Sequence, residues 1–299
     1  MPKILIPNYT RSSFDNYGVS LINAPAFWDR SFKGQGINIA VIDTGCDREH
    51  EELSDNIIDG FNFTNDDDGD PTNITDYSGH GTHVAGIIAA SNKNGIIGVA
   101  PKAKLLILKV IGKDGSGDYK NLIRALNFAI EWRGKNNEKI DIINLSLGGP
   151  NDDKDLKNVV EKAVSQNIFI VAASGNNGDG SEITDEILYP GFYKEVIQVS
   201  AIDEQLNPVF FSNTNINIDF LAPGKDIHST FPNNTYSKLS GTSMAAPHVT
   251  GAIALLLNLF KTQNIPINFE QIYLYLASHS LFLNGYSSKT QGNGIIKLS

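Results

Sequence analysis

The sequence predicts an α/β fold in three layers, α/β/α, with a mostly parallel central sheet. Three observations carry this expectation. Short β-branched runs alternate with helical patterns, the strand runs are nearly continuous in apolar character, and several motifs sit where those runs end. Alternating strands and helices build a parallel sheet with helices on both faces. Strands covered on both faces read as unbroken apolar stretches rather than alternating ones. Ligands in such folds bind outside the carboxyl ends of the strands.

The candidate strands, in order, are Ile37–Asp43, Lys104–Val110, Ile140–Ser146, Ile168–Ala173 and Val196–Ala201. The helices between them are Thr82–Ser91, Tyr119–Arg133 and Leu156–Gln166, and a last helix runs from about Thr242 through Leu257. Within Tyr119–Arg133, the apolar residues Leu122, Ile123, Leu126, Phe128, Ala129 and Ile130 follow the helical period. No internal repeat or long linker divides the chain. Residues 1–20 read as an N-terminal extension and residues 21–299 as one domain. The stretch Asn264–Ser299 carries no motif, and Gln291-Gly292-Asn293-Gly294 within it reads as a turn.

Apolar residues make up 41%, enough for a large core, and charged residues at 19% are too few for a disordered chain. A net charge of −9 argues against nucleic acid as the main partner, since phosphate binding needs a basic face. The one cysteine, Cys46, excludes an internal disulfide and fits a reducing compartment. The run Ile4-Leu5-Ile6 is too short for a signal-peptide core and is broken by Pro7. No stretch reads as the roughly 20 apolar residues of a membrane helix. The expectation is a cytoplasmic protein with no nucleic-acid or membrane partner.

Four motifs carry chemistry. Val41-Ile42-Asp43-Thr44-Gly45 delivers a carboxylate to a strand end, where an aspartate also serves as an ordinary turn residue. Asp-Thr-Gly also marks aspartic proteases, which need two such loops; one copy would require a symmetric dimer. His80-Gly81-Thr82-His83-Val84-Ala85-Gly86 opens a helix. Its two histidines lack the glutamate of His-Glu-x-x-His, which argues against zinc. His83 is read as a hydrogen-bonded core histidine.

Gly241-Thr242-Ser243-Met244-Ala245-Ala246-Pro247 places a serine at the start of a long apolar helix. Free N–H groups there can support an oxyanion, although a capping serine is the commoner occupant. Ala245 departs from the Gly-x-Ser-x-Gly elbow. Ala173-Ser174-Gly175-Asn176-Asn177-Gly178 offers a carboxamide after a buried strand, or a plain Asn-Gly turn. Each signal is weak alone. Together, Asp, His and Ser fall in the chain order of one triad lineage.

These segments, with Ser146-Leu147-Gly148-Gly149 and His248, resemble the subtilisin-like serine proteases over roughly Ile22 to Leu257. Within that family the chain most resembles the bacterial intracellular members, through Asp43-Thr44-Gly45-Cys46-Asp47 and the start Leu5-Ile6-Pro7-Asn8-Tyr9. There, Asn8 stands where the family has an aromatic residue. The resemblance implies a subtilisin-like fold and a serine endopeptidase held in check by its N-terminal extension. Ser243 would be the nucleophile, His80 the general base, Asp43 its partner, and Asn176 with the Ser243 N–H the oxyanion donors.

Extended polypeptide substrate would add as a strand beside Ser146, Leu147 and Gly148 on one side and Gly115, Ser116 and Gly117 on the other. Ala173, Gly175 and Leu188 would wall the pocket for the residue before the cut. Leu188 stands where relatives have a smaller residue, which implies a shallow apolar pocket. Other readings are a dedicated processing protease for one peptide or spore protein, and a catalytically silent binding module; the complete set of site residues opposes the silent one. A homodimer follows from the resemblance only.

No organic cofactor is expected; structural calcium is. An EF-hand at Asn65-Asp66-Asp67-Asp68-Gly69-Asp70 fails, because Gly69 at the sixth position puts Thr64 and Thr75 where carboxylates belong. That run reads as a solvated loop. The better candidates are Glu52 with Asn94 in the loop 91–97, which resembles a family site, and Asp179, Glu182 and Asp185 with Glu186.

Overall fold

The computed structural model describes the backbone of residues 3–5 and 17–299, and side chains from residue 17 onward. Its elements are β1 (Lys3–Leu5), α1 (Tyr17–Leu21), β2 (Asn38–Asp43), β3 (Ile57–Asn62), α2 (His80–Ala89), β4 (Lys104–Lys109), β5 (Ser116–Asp118) and α3 (Tyr119–Glu131). They continue as β6 (Ile142–Leu145), α4 (Lys154–Ser165), β7 (Phe169–Ala173), β8 (Ile197–Ile202), β9 (Phe220–Pro223), β10 (Ile227–Phe231), β11 (Thr235–Leu239), α5 (Thr242–Thr262), α6 (Phe269–His279) and α7 (Ser288–Gln291). The expected start Leu5-Ile6-Pro7-Asn8-Tyr9 lies, after Leu5, outside the described residues.

Seven strands form one sheet in the order β3-β4-β2-β6-β7-β8-β9. Every neighbouring pair in it is parallel. Side chains alternate across a strand, so β2 serves two cores at once. Ile39 and Val41 point into the cluster built with α2 and α5, while Ala40 and Ile42 point into the one built with α3 and α4. The expected three layers are therefore observed, and the apolar continuity of β2 reflects burial of both faces. Side-chain caps start three helices: Asp118 accepts from the Asn121 N–H, Asp153 from those of Asp155 and Leu156, and Asn268 from that of Gln271.

From β2 the chain turns outward to β3 and β4, and the later strands build the opposite side, starting with β6 beside β2. The strand order thus reverses between β2 and β6, the place where such sheets open a crevice at their carboxyl ends.

Several features depart from the sequence expectation, among them helices α6 and α7 in the stretch Asn264–Ser299. The edge strands β3 and β9 and the hairpin β10–β11 were not anticipated, because β3 is interrupted by Asp59 and Gly60 and β9 has only four residues. Helix α2 starts two residues earlier, at His80 itself, and α5 runs on to Thr262. By length and composition α5 would pass for a membrane span, contrary to the sequence reading, but its whole apolar window is buried in the core.

Candidate active site

The carboxyl ends of β2 and β6 and the neighbouring helix starts carry a cluster of polar side chains. Asp43 ends β2 and is fully buried. Its Oδ1 accepts from the Thr44 N–H and from His80 Nδ1, both at 2.7 Å. His80 opens α2 and is 2% exposed. Because Nδ1 donates to the carboxylate, Nε2 is left as the acceptor, and it has no partner among the described residues. Gly45 makes the turn possible: its φ is +108°, and a Cβ there would lie 2.3 Å from the Ile74 carbonyl oxygen.

Charge around His80 is set by its neighbours. Burial pushes the imidazole pKa down, but the Asp43 carboxylate, bonded to it, and Asp76 outweigh burial and hold it above the ordinary 6.5. His83 goes the other way. Burial, together with the charge of His80, holds it down to about 3. His83 Nε2 lies 3.0 Å from the Ile227 carbonyl and 3.1 Å from that of Ser237, so it is the core histidine expected. Positive charge therefore forms on His80 and not on its neighbour.

Asp76 was missed by sequence reasoning. Buried at 4% exposure, its Oδ1 accepts from the Thr44 hydroxyl (2.8 Å) and the Gly79 N–H (2.8 Å). Its Oδ2 accepts from the N–H (2.8 Å) and hydroxyl (2.6 Å) of Thr82. The Thr44 hydroxyl in turn accepts from the Gly81 N–H at 2.8 Å. One carboxylate thus ties the end of β2 to the first turn of α2, the two places that carry Asp43 and His80. Its position shortly before His80 was the available signal, since an acidic residue beside a helix start satisfies free N–H groups.

Ser243 lies in the first turn of α5, 4% exposed, with its hydroxyl donating to the Ser146 carbonyl at 3.0 Å. Val41 pairs with Asn144. Continuing that register by two residues brings Asp43 level with Ser146, so Asp43 and Ser243 share one strand-end level. Asn176 Oδ1 accepts from the Thr242 N–H (2.9 Å) and hydroxyl (2.8 Å), which orients Nδ2 as a donor beside the start of α5. The Gly175 N–H donates to the Thr242 hydroxyl at 3.1 Å and fastens the loop after β7 to the same turn.

The residues expected to line substrate lie in or beside these strands. Ser146, Leu147 and Gly148 follow β6, Ala173 ends β7, and Gly117 lies within β5 with Gly115 just ahead of it. The backbone of β1 already pairs antiparallel with β5, with Ile4 opposite Gly117 and Leu5 opposite Ser116. Leu188 packs onto Gly148 so closely that a Cβ on the glycine would lie 2.6 Å from its Cδ2.

The acidic groups proposed for calcium are engaged elsewhere. Glu52 accepts from the N–H groups of Lys93 (2.8 Å) and Asn94 (2.6 Å) and from the Ser91 hydroxyl (3.1 Å), and the Asn94 amide donates to Glu51. A loop presenting N–H groups inward does not fit a hard cation, which needs oxygens. Asp179 accepts from Ser181 and Thr184, Glu182 from Ser287 and Thr290, Asp185 pairs with Lys289, and Glu186 accepts from Thr214. These carboxylates diverge, and among the described residues no group of three or more His, Cys, Asp or Glu converges on a metal position. Residues 65, 68, 69 and 70 are exposed as the solvated-loop reading expects, and Asp66 is the exception. Asp66 is buried, pairs with Lys109 Nζ at 3.2 Å and accepts from the Lys113 N–H, while Lys109 donates to the Thr44 carbonyl at 2.8 Å. With these loops held by protein donors, a chelator is expected to leave the midpoint of thermal unfolding unchanged; a large drop would show that they close around a cation.

The subtilase family model matches residues 34–294. The chain is 48% identical over 284 residues to an intracellular serine protease of Paenibacillus polymyxa, a match covering 94% of this chain and 85% of that one. It is 46% identical over 286 residues to the major intracellular serine protease of Bacillus subtilis (strain 168), covering 94% and 87%. Subtilisin DY of Bacillus licheniformis is 42% identical over 248 residues, covering 82% and 85%. With most of its length matched and a seven-stranded parallel sheet between helices, the chain belongs to the subtilase family and is a subtilisin-type serine endopeptidase.

Proposed function

We propose that Asp43, His80 and Ser243 form the catalytic triad, with Asn176 Nδ2 and the Ser243 N–H as oxyanion donors. The observation that carries this reading is the buried 2.7 Å bond between Asp43 and His80 Nδ1, which leaves Nε2 free to accept a proton. The Ser243 hydroxyl leaves the Ser146 carbonyl and turns to His80. Its proton passes to Nε2 as Oγ attacks the scissile carbonyl, and the imidazolium formed is stabilised by Asp43. His80 then gives that proton to the leaving amine, and water repeats the sequence on the acyl-enzyme. Removing one oxyanion donor costs about 3–4 kcal/mol in serine proteases of this kind.

The N-terminal segment gives the reading its regulation. Extended substrate would add to β5 by main-chain hydrogen bonds, and β1 holds that edge already. We place the removable part at residues 1–16, because α1, which follows, packs Val19 into the core. Two relatives are named intracellular serine proteases; by extension this chain acts on proteins inside the cell, in the cytoplasm. Leu188 against Gly148 supports a shallow pocket that favours Leu or Phe over Lys or Glu before the cut.

Ser243→Ala is expected to abolish casein hydrolysis and labelling by a serine-directed organophosphate, while the native chain shows both and cuts Leu or Phe peptides ahead of Lys or Glu peptides. Labelling that survives the substitution would overturn the assignment of Ser243. Deleting residues 1–16 is expected to raise activity, and a full-length protein as active as the truncated one would refute regulation by the extension.

A further inference from the structure

Helix α5 begins with a defect that bears on Ser243. In an α-helix the carbonyl of residue 243 accepts from the N–H of residue 247. Residue 247 is proline and has no N–H to give. A buried carbonyl without a donor is costly. Here the donor comes from outside the helix: the Ser146 hydroxyl reaches the Ser243 carbonyl at 2.8 Å.

The direction of that bond propagates. A carbonyl only accepts, so Ser146 must donate its single hydroxyl proton to it, and its oxygen is left to accept. Asn144 Nδ2 donates to it at 3.0 Å. The amide is thereby oriented with Oδ1 pointing away, and Oδ1 accepts from the Thr250 hydroxyl at 2.7 Å. Asn144, Ser146 and Thr250 are all fully buried. The chain starts on α5 at Thr250, crosses the end of β6, and returns to α5 at Ser243.

We propose that Thr250, Asn144 and Ser146 are positioning residues, a polar relay that replaces the hydrogen bond Pro247 cannot make and so fixes the backbone that carries the nucleophile. This rests on the reading of Ser243 as nucleophile. None of the three need touch the reacting atoms with its side chain. Their effect passes through the Ser243 carbonyl to its N–H and hydroxyl. Thr250, two turns into the helix, is the member whose role is least visible from the motif.

The test is a double-substitution cycle on the full chain, read by kcat and KM on a peptide substrate and by the rate of organophosphate labelling. Thr250→Val keeps the shape and removes the donor. It is expected to lower kcat and the labelling rate about five- to tenfold with KM within about twofold. Thr250→Ser, which keeps the hydroxyl, is expected to restore both. Pro247→Ala supplies the missing N–H, so in that background Thr250→Val is expected to cost less than about twofold.

An unchanged kcat in Thr250→Val would overturn the relay. So would a loss that serine does not restore, or one equally large with and without Pro247. If Thr250→Val does not fold, Ser146→Ala runs the cycle with and without Pro247, and Ser146→Thr, which keeps the hydroxyl, is the variant expected to restore kcat and labelling. Ser243→Ala, measured alongside, separates the two claims. Activity surviving in it sinks the nucleophile assignment, whereas an inactive Ser243→Ala beside an unaffected Thr250→Val sinks the relay alone.

Discussion

The hydrogen bond between Asp43 and His80 is the constraint around which the rest of the site is arranged. A carboxylate buried without partners would be strongly unfavourable, and breaking such a pair by removing one member typically costs about 3–5 kcal/mol. Asp43 has no solvent to fall back on. It is held by the Thr44 N–H and by the imidazole. The imidazole stays in reach because Asp76 ties the first turn of α2 to Thr44. Lys109, donating to the Thr44 carbonyl and pairing with Asp66, holds the same turn from the other side. Burial raises the cost of each of these groups and, by the same low dielectric, strengthens each bond between them.

The fold explains why this polar cluster can exist inside an apolar sheet. Polar groups sit where strands stop and helices start, where backbone N–H groups need acceptors in any case. β2 delivers Asp43, β6 delivers Ser146, the loop after β7 delivers Asn176, and the first turns of α2 and α5 bring His80 and Ser243. The strand order reverses between β2 and β6, the place where sheets of this kind bind their ligands. Beneath it the two faces of the sheet are closed by separate apolar cores.

Much of this was legible because the local chemistry is written in short motifs. Asp43, His80, Asn176 and Ser243 each stood at the end of a readable strand or the start of a readable helix, and the structure brings their elements to one rim. The supporting groups were less legible because their roles are long-range. Nothing in a run of aspartates says that Asp66 is the one that meets Lys109, 43 positions further along the chain and beyond any helix or strand period. Asp76 lies in a loop without periodic signal, and its bonds to Thr44, Gly79 and Thr82 exist only in the fold. The acidic loops show the same limit. A dense acidic stretch suggests a cation, but in Asp179, Glu182 and Asp185 each carboxylate turns to a different protein donor. β3 and β9 escaped because an interrupted or four-residue strand leaves too little periodic signal.

The most direct measurement is a pH titration of the His80 imidazole by NMR in the full-length protein and in Asp43→Asn. The expected result is an imidazole that holds its proton above the ordinary 6.5 in the native chain and gives it up at lower pH once the neighbouring carboxylate is gone. A His80 that titrates at or below 6.5, unmoved by the substitution, would contradict the pairing on which the site depends.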